Sequence, residues 1–542
     1  MQQQINEEND VLDRHETHTC NMARSPSCTY TVLESVYGVR YLIYRYSKNQ
    51  APPVTFVSSV GMALQLLDVS TPGIAYICLG GFIVVFSLFS VLMKEKIYLN
   101  EVVLGTAFGI IIGPHGGNII NPRSWSSSLE SQNNITLEVM RIVLGVGLFV
   151  IGVELPKSYM WKHARSLLAM VIPTMAAGWL LVGGILKLLF PSLTFVSCLV
   201  IAACLTPTDP IICAAIVGGK FATDNVDIKL RQILSAESAA NDGLAYPFLS
   251  ISIYLTIESS KRTAFGKWFL VGWLYQVILG VILGAVIGFL FSCLFQLSGR
   301  RGFVNRESYV AQYIAMTLFT IGVAHTIGSD DLLAAFAAGT AISWDGRFNE
   351  QTKDEHLNDQ ADDKTIGGGS GQGEGQIEDE EYEKEAFVSV IDFVLNSAGF
   401  IYIGAWLPFQ DFNLPNLGIV PWKLTVLFIA IVFLRRIPAL MALYKCIPEI
   451  VTWKQALFAG HFGPMGVGAV FISTLALTEL SAPHNPPRNQ EELLALCIQP
   501  IVAFVVLGSI IIHGLSIPLF EFGRHFLPNR TGPTKILPIS DV

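Results

Sequence analysis

Glu237-Ser-Ala-Ala-Asn-Asp242 places two carboxylates and a carboxamide within six residues, then leads into the apolar run Leu249–Ile257. An ionisable group at mid-bilayer costs at least ~2.5 kcal/mol, so each needs a partner, an aqueous cavity or a proton. Glu237 and Asn241 are four residues apart and share one helix face, while Asp242 lies on the neighbouring face above Ser238. The two carboxylates therefore need different partners. A second stretch, Leu205-Thr-Pro-Thr-Asp-Pro-Ile211, puts Asp209 between prolines at mid-span. Pro207 and Pro210 remove amide donors and clash with the preceding turn, so the helix is expected to break there. Carbonyls freed by the break, beside Thr206, Thr208 and Asp209, would make an all-oxygen cation site. The competing reading is an ordinary proline kink with Asp209 capping the half-helix that follows.

A third stretch, Gly460-His-Phe-Gly-Pro-Met-Gly-Val-Gly468, carries Gly463, Pro464 and Gly466 through the middle of another apolar segment. It reads as a second interruption, with close helix packing through glycine as the alternative. Asp242 is expected to face the first interruption. Glu237 needs a cation, and Arg435 and Arg436 are the basic residues deep in a span. Alternatively Glu237 starts a helix near the boundary, within reach of Arg231. A carboxylate left unpaired in such surroundings takes either a proton or a hard cation, and that competition is the chemistry of an antiporter.

The elements that position these groups follow from composition. The chain has 542 residues, 51% hydrophobic and 14% charged, which fits a polytopic all-α membrane protein. Thirteen spans are expected near 72–93, 99–113, 135–154, 166–190, 192–219, 232–257, 266–296, 306–327, 331–344, 387–409, 416–443, 455–479 and 491–520. Spans one to six and eight to thirteen form two six-helix units, each with its fifth member broken. Paired interruptions at corresponding places point to inverted repeats with crossed broken helices. Loops after odd-numbered spans carry most Lys and Arg (Lys94, Lys96, Lys157, Lys162, Arg165, Lys220, Lys229, Arg231, Arg300, Arg301, Arg306, Lys445, Lys454). Those loops and the C-terminus are expected in the cytoplasm, with the sequon at Asn134 outside.

The organisation is a polar tail (1–71, without a signal-peptide h-region), membrane segments 72–344 and 387–520, and a short tail 521–542. Between the membrane segments, 345–386 carries fourteen acidic and four basic residues, a cytoplasmic loop too acidic to bury a core. The net charge of −8 resides in that loop, leaving no acidic surface and no basic stripe for nucleic acid. The nine cysteines show no C-x-x-C spacing and read as buried thiols. An intramembrane aspartyl protease would need Tyr-Asp and Gly-x-Gly-Asp sequences, which are absent. A channel would need repeated filter segments.

Together, Leu205–Pro210, Glu237–Phe248, Leu434-Arg-Arg-Ile-Pro438 and Gly460–Ala469 resemble the fungal plasma-membrane alkali-cation/proton antiporters of the monovalent cation:proton antiporter superfamily. The resemblance covers roughly residues 72–520. It implies a homodimer, not an enzyme and without a cofactor, that exchanges Na+ or Li+ for H+, with K+ left open as a further substrate, through an elevator-like movement of a core domain. It also implies ion binding and proton carriage at Asp242 with Asn241, Asp209 and Thr208, and a structural salt bridge from Glu237 to Arg436 or Arg435. The runner-up is a K+(Na+)/H+ exchanger of an intracellular membrane. Gly463-Pro-Met-Gly466 replaces the Gly-Leu-Arg-Gly of animal exchangers, so roles tied to that arginine do not transfer. Regulation through a long C-terminal tail is not expected.

Overall fold

The computed structural model describes residues 16–20, 28–34, 40–45, 71–303, 306–345 and 375–526. The chain divides into two units, Met1–Asp68 and Val69–Val542. The first holds an antiparallel sheet of β1 (Glu16–Cys20), β2 (Cys28–Glu34) and β3 (Arg40–Arg45), with Thr31 opposite Thr17 and Ile43. These strands lie within the segment 1–71 read as a polar tail. β2 and β3 are rich in Thr, Tyr, Val and Ile, which suit a pleated strand.

The second unit is helical. Its first part comprises α1 (Thr71–Leu88), α2 (Glu101–Ile112), α3 (Leu129–Glu154), α4 (Ala164–Leu189), α5 (Phe195–Cys204) and α6 (Pro210–Val217). Then come α7 (Ile228–Gly243), α8 (Ala245–Ile257), α9 (Lys261–Gly299), α10 (Arg306–Ile327) and α11 (Asp331–Ile342). The remainder is α12 (Gly375–Trp406), α13 (Pro421–Leu434), α14 (Ile437–Leu443), α15 (Trp453–His461), α16 (Val467–Thr478) and α17 (Gln490–Phe526). Each of the thirteen expected spans falls on one of these helices or on a broken pair. By length and composition alone, five are long and apolar enough to cross a membrane: α3, α4, α9, Pro421–Cys446 and the Gln490–Phe522 part of α17. The sixth expected span is divided at Leu244 into α7 and α8.

The acidic loop lies outside the described residues from 346 to 374, and α12 begins at Gly375, inside the segment read as loop. Tails 46–70 and 527–542 also lie outside them. Asn134 is inside α3, and the Thr136 hydroxyl is buried, hydrogen-bonded to Gln132 O and paired with Tyr402 Oη at 2.9 Å. The sequon's threonine is thus engaged inside the bundle, while Asn134 itself is exposed on the helix.

Small residues let the helices of the surrounding frame touch backbone to backbone. A methyl at Gly109 would lie 2.2 Å from Ile401 O, locking α2 to α12, and one at Gly284 would lie 2.1 Å from Ala334 O, locking α9 to α11. Gly152 and Gly339 join α3 to α11 in the same way. A large apolar core, including Leu144, Leu148, Ile201, Ile212, Val467 and Ile498, surrounds the two interrupted helices.

Candidate ion-binding site

Both interruptions form where the sequence withholds helical hydrogen bonds. α5 ends at Cys204 and α6 restarts at Pro210, where the missing N–H costs nothing in the first turn. α15 ends at His461, and α16 restarts after Pro464 and Gly466. The two breaks cross at a single backbone bond, Asp209 N donating to Pro464 O at 2.8 Å. Four half-helix ends therefore meet in one buried place, and each end carries a partial charge.

One acid and one base meet those ends. Asp209 Oδ1 accepts from Ile212 N at 2.8 Å, and Oδ2 lies 3.4 Å from Gly468 N. A single carboxylate thus caps the positive starts of α6 and α16. Arg435 serves the opposite ends. Its Nη1 donates to the carbonyls of Leu205 (2.6 Å), Thr206 (3.2 Å) and Pro207 (3.2 Å), and its Nη2 to Gly463 O. This corrects the expectation of bare carbonyls: the ones freed at Leu205–Pro207 already have a cation of the protein's own. The Thr206 hydroxyl is likewise engaged, donating to Ala202 O at 2.7 Å.

The choice between the two arginines is also resolved. Arg436 forms a fork with Glu237, Nη1 to Oε1 at 2.6 Å and Nη2 to Oε2 at 2.5 Å, while its Nε donates to Ala459 O at 3.0 Å. Arg231 turns elsewhere, to Val217 O and Thr223 Oγ1. Asn241 stays on the Glu237 face, as its spacing predicts, donating to Oε1 at 3.3 Å. It also makes a reciprocal pair with the first break: Nδ2 donates to Thr208 Oγ1 at 2.7 Å, and Thr208 N donates to Asn241 Oδ1 at 2.9 Å.

Asp242 is different. It is 3% exposed, and neither carboxylate oxygen has a hydrogen-bond partner among the described residues. A methyl at Gly468 would lie 2.6 Å from its Oδ1, so the carboxylate rests against the first turn of α16. The glycines of the second interruption are thereby accounted for one at a time. Gly460 abuts Ile437 Cα, Gly463 abuts Arg436 Cδ, Gly466 abuts Asp209 Oδ2 and Gly468 abuts Asp242.

Two contributions escaped the sequence reading. Asp330 is the N-cap of α11 (Leu333 N to Oδ1, 2.8 Å), and Leu333 of that first turn packs against Gly243, the residue after Asp242. An acid before an apolar run is the helix-start signal that could have found it. The second break is also tied to α17, with Met465 N donating to Ser509 Oγ at 2.7 Å and His513 Nε2 paired with His461 O at 3.0 Å. No local signal in the sequence announces that pairing.

Comparison with known proteins places this geometry. Residues 82–522 match the family described as sodium/hydrogen exchanger, transmembrane. A probable Na(+)/H(+) antiporter of Schizosaccharomyces pombe is 40% identical over 473 residues, covering 85% of this chain and 58% of that protein. A Na(+)/H(+) antiporter of Saccharomyces cerevisiae is also 40% identical, over 85% of this chain and 44% of its own length. The chain thus spans about half the length of these two relatives. A further Schizosaccharomyces pombe Na(+)/H(+) antiporter is 34% identical over 84% of this chain and 92% of its own length. Among solved structures, the sodium proton antiporter MjNhaP1 of Methanocaldococcus jannaschii superposes with a TM-score of 0.56 at 16% identity, over 84% of this chain and 99% of that one, a likeness of fold. By the match across most of its length and the relatives at this identity, the chain belongs to the transmembrane sodium/hydrogen exchanger family.

Proposed function

We propose that the chain is a secondary antiporter that expels cytoplasmic Na+ or Li+, with K+ a candidate third substrate, in exchange for external H+ across the plasma membrane. The observation that carries this reading is Asp242: a buried carboxylate with both oxygens unpartnered, set against the start of a half-helix. Every other charge at the crossing has a counterpart. Glu237 is held by Arg436, Asp209 by two helix starts, and Arg435 by the carbonyl ends. Charge balance at Asp242 must then come from a proton or a bound cation, one excluding the other. The donors for a hard cation are the Asp242 and Asp209 carboxylates with the Thr208 hydroxyl, oriented through Asn241; the freed carbonyls are not among them.

The relatives' names support Na+ and H+ as exchanged ions. The likeness to a solved sodium proton antiporter supports the helical antiporter fold. The reading extends to thirteen spans in two inverted repeats, with cytoplasmic 345–386 and C-terminus, and to a homodimer whose core moves past a fixed frame. Asp242→Asn in proteoliposomes tests the reading. Cation-dependent proton movement driven by Na+, Li+ or K+ should disappear while the folded protein is retained. Exchange that persists at the unaltered rate would sink the assignment of Asp242. Running the same assay on the unaltered chain, with and without an imposed voltage, identifies the ions and the net charge moved.

A further inference from the structure

Arg141, on α3, is an arginine at mid-helix that the exchange chemistry leaves unused. It is 5% exposed, and three elements converge on it. Its Nη1 contacts Glu138 on its own helix. Its Nε lies 2.8 Å from Asp331 Oδ2 at the start of α11, a charge contact without hydrogen-bond alignment. Its guanidinium stands 5.6 Å from the ring centre of Phe471, on α16. His325, near the end of α10, lies 3.4 Å from the same Asp331 oxygen.

These partners belong to two different bodies. α3 and α11 are part of the glycine-locked frame around the crossing, whereas Phe471 lies one turn beyond Gly466 and Gly468, on the half-helix that touches both Asp209 and Asp242. The neighbour of Asp331, Asp330, caps the same helix start, whose Leu333 packs against Gly243 beside Asp242. The start of α11 therefore carries two consecutive acids, one capping the turn that meets the ion-site helix and one holding Arg141. An aromatic face and a carboxylate hold a guanidinium from different directions: the Asp331 contact anchors Arg141 within the frame, and the Phe471 contact alone crosses to α16.

We propose that Arg141 is a positioning residue that clamps α16 to the frame and holds shut the outer approach to Asp242. Releasing Phe471 from Arg141 frees α16 to slide along α3, which opens that approach. The inference rests on the orientation and alternating access proposed above.

The test uses the full chain with one cysteine replacing Tyr246, a half-buried side chain four residues beyond Asp242, on its outer side in the orientation proposed above. Sealed vesicles with the outer face exposed are treated with a membrane-impermeant maleimide, and labelling is compared with the chain lacking that cysteine. Arg141→Gln should raise labelling at least about fivefold, the lower end of coupling between distinct sites. It should also change the cation KM more than the maximal rate. Arg141→Lys keeps the charge over Phe471 without the fork and should fall between. Unchanged labelling in folded Arg141→Gln overturns the clamp. Should that variant not fold, Phe471→Leu removes the ring from the other side and must give the same rise, and its failure to do so overturns the clamp equally. Absence of cation-coupled proton movement in the unaltered chain would sink the antiport reading instead, while labelling still decides whether Arg141 clamps.

Discussion

Glu237 and Arg436 are 1% and 5% exposed, and a pair so deep is not evidence of net stability against an apolar substitute. Breaking it is another matter, because the surviving charge stays buried and alone. Glu237→Ala and Arg436→Ala should each cost about 3–5 kcal/mol, read as loss of folded protein and a lowered melting temperature in detergent. The swap Glu237→Arg with Arg436→Glu should recover part of it, and no recovery would argue that the pair's geometry, rather than its charge balance, matters. Arg435 is expected to be as sensitive for a different reason. Its removal strands the carbonyls of Leu205, Thr206, Pro207 and Gly463 without a donor, at about 1–3 kcal/mol for each left unsatisfied. Arg435→Lys, lacking the fork, should rescue thermal stability only partly, and full rescue would show that charge alone suffices.

At the scale of elements, the interrupted helices bring four ends together, and the glycines of the second interruption set how closely. Gly468→Ala would place a methyl within 2.6 Å of Asp242 Oδ1 and must displace the carboxylate or tilt α16. Overpacking of this kind costs about 1–3 kcal/mol, so the KM for Na+ should rise by about tenfold or more. Gly80→Ala, where nothing lies within 4 Å, is the control and should leave KM unchanged. An unaltered KM in Gly468→Ala would mean that Asp242 does not bind the cation from that side. The helix starts at Asp209 and the helix ends at Arg435 divide the crossing's partial charges between one acid and one base. Asp242 is left to answer to the solvent ion.

At the scale of the molecule, the glycine-locked pairs α2–α12, α9–α11 and α3–α11 give a rigid frame, while the crossing is wrapped by α4, α7, α14 and α17. A frame of that kind presents an apolar outer face suited to a second copy, and the homodimer proposed here should have a protein mass about twice 59.3 kDa in mild detergent. A single-chain mass under conditions that preserve exchange would remove the dimer from the mechanism. Glycosidase treatment should leave mobility on a gel unchanged if Asn134 is the only sequon tested, because the threonine of that sequon is buried against Tyr402.

By itself the sequence determined that Leu205–Pro210 and Gly460–Gly468 would interrupt their helices, because proline and glycine act locally and need no partner to do so. It also determined that Glu237 and Asn241 share a face, since helical periodicity is fixed by the backbone. It left Arg435 and Arg436 undistinguished: adjacent arginines have equal chemistry, and only the fold decides that one meets Glu237 and the other the carbonyls. Those carbonyls looked available to a cation because the residue that occupies them lies 230 positions away. Asp330, Ser509 and His513 were likewise silent, each being an ordinary cap or polar residue until packing brings it to the crossing. Asp242 was legible as a costly acid in an apolar run. That it ends without a partner was decided by the tertiary structure, which supplies a counterpart to every other charge at the crossing and withholds one there.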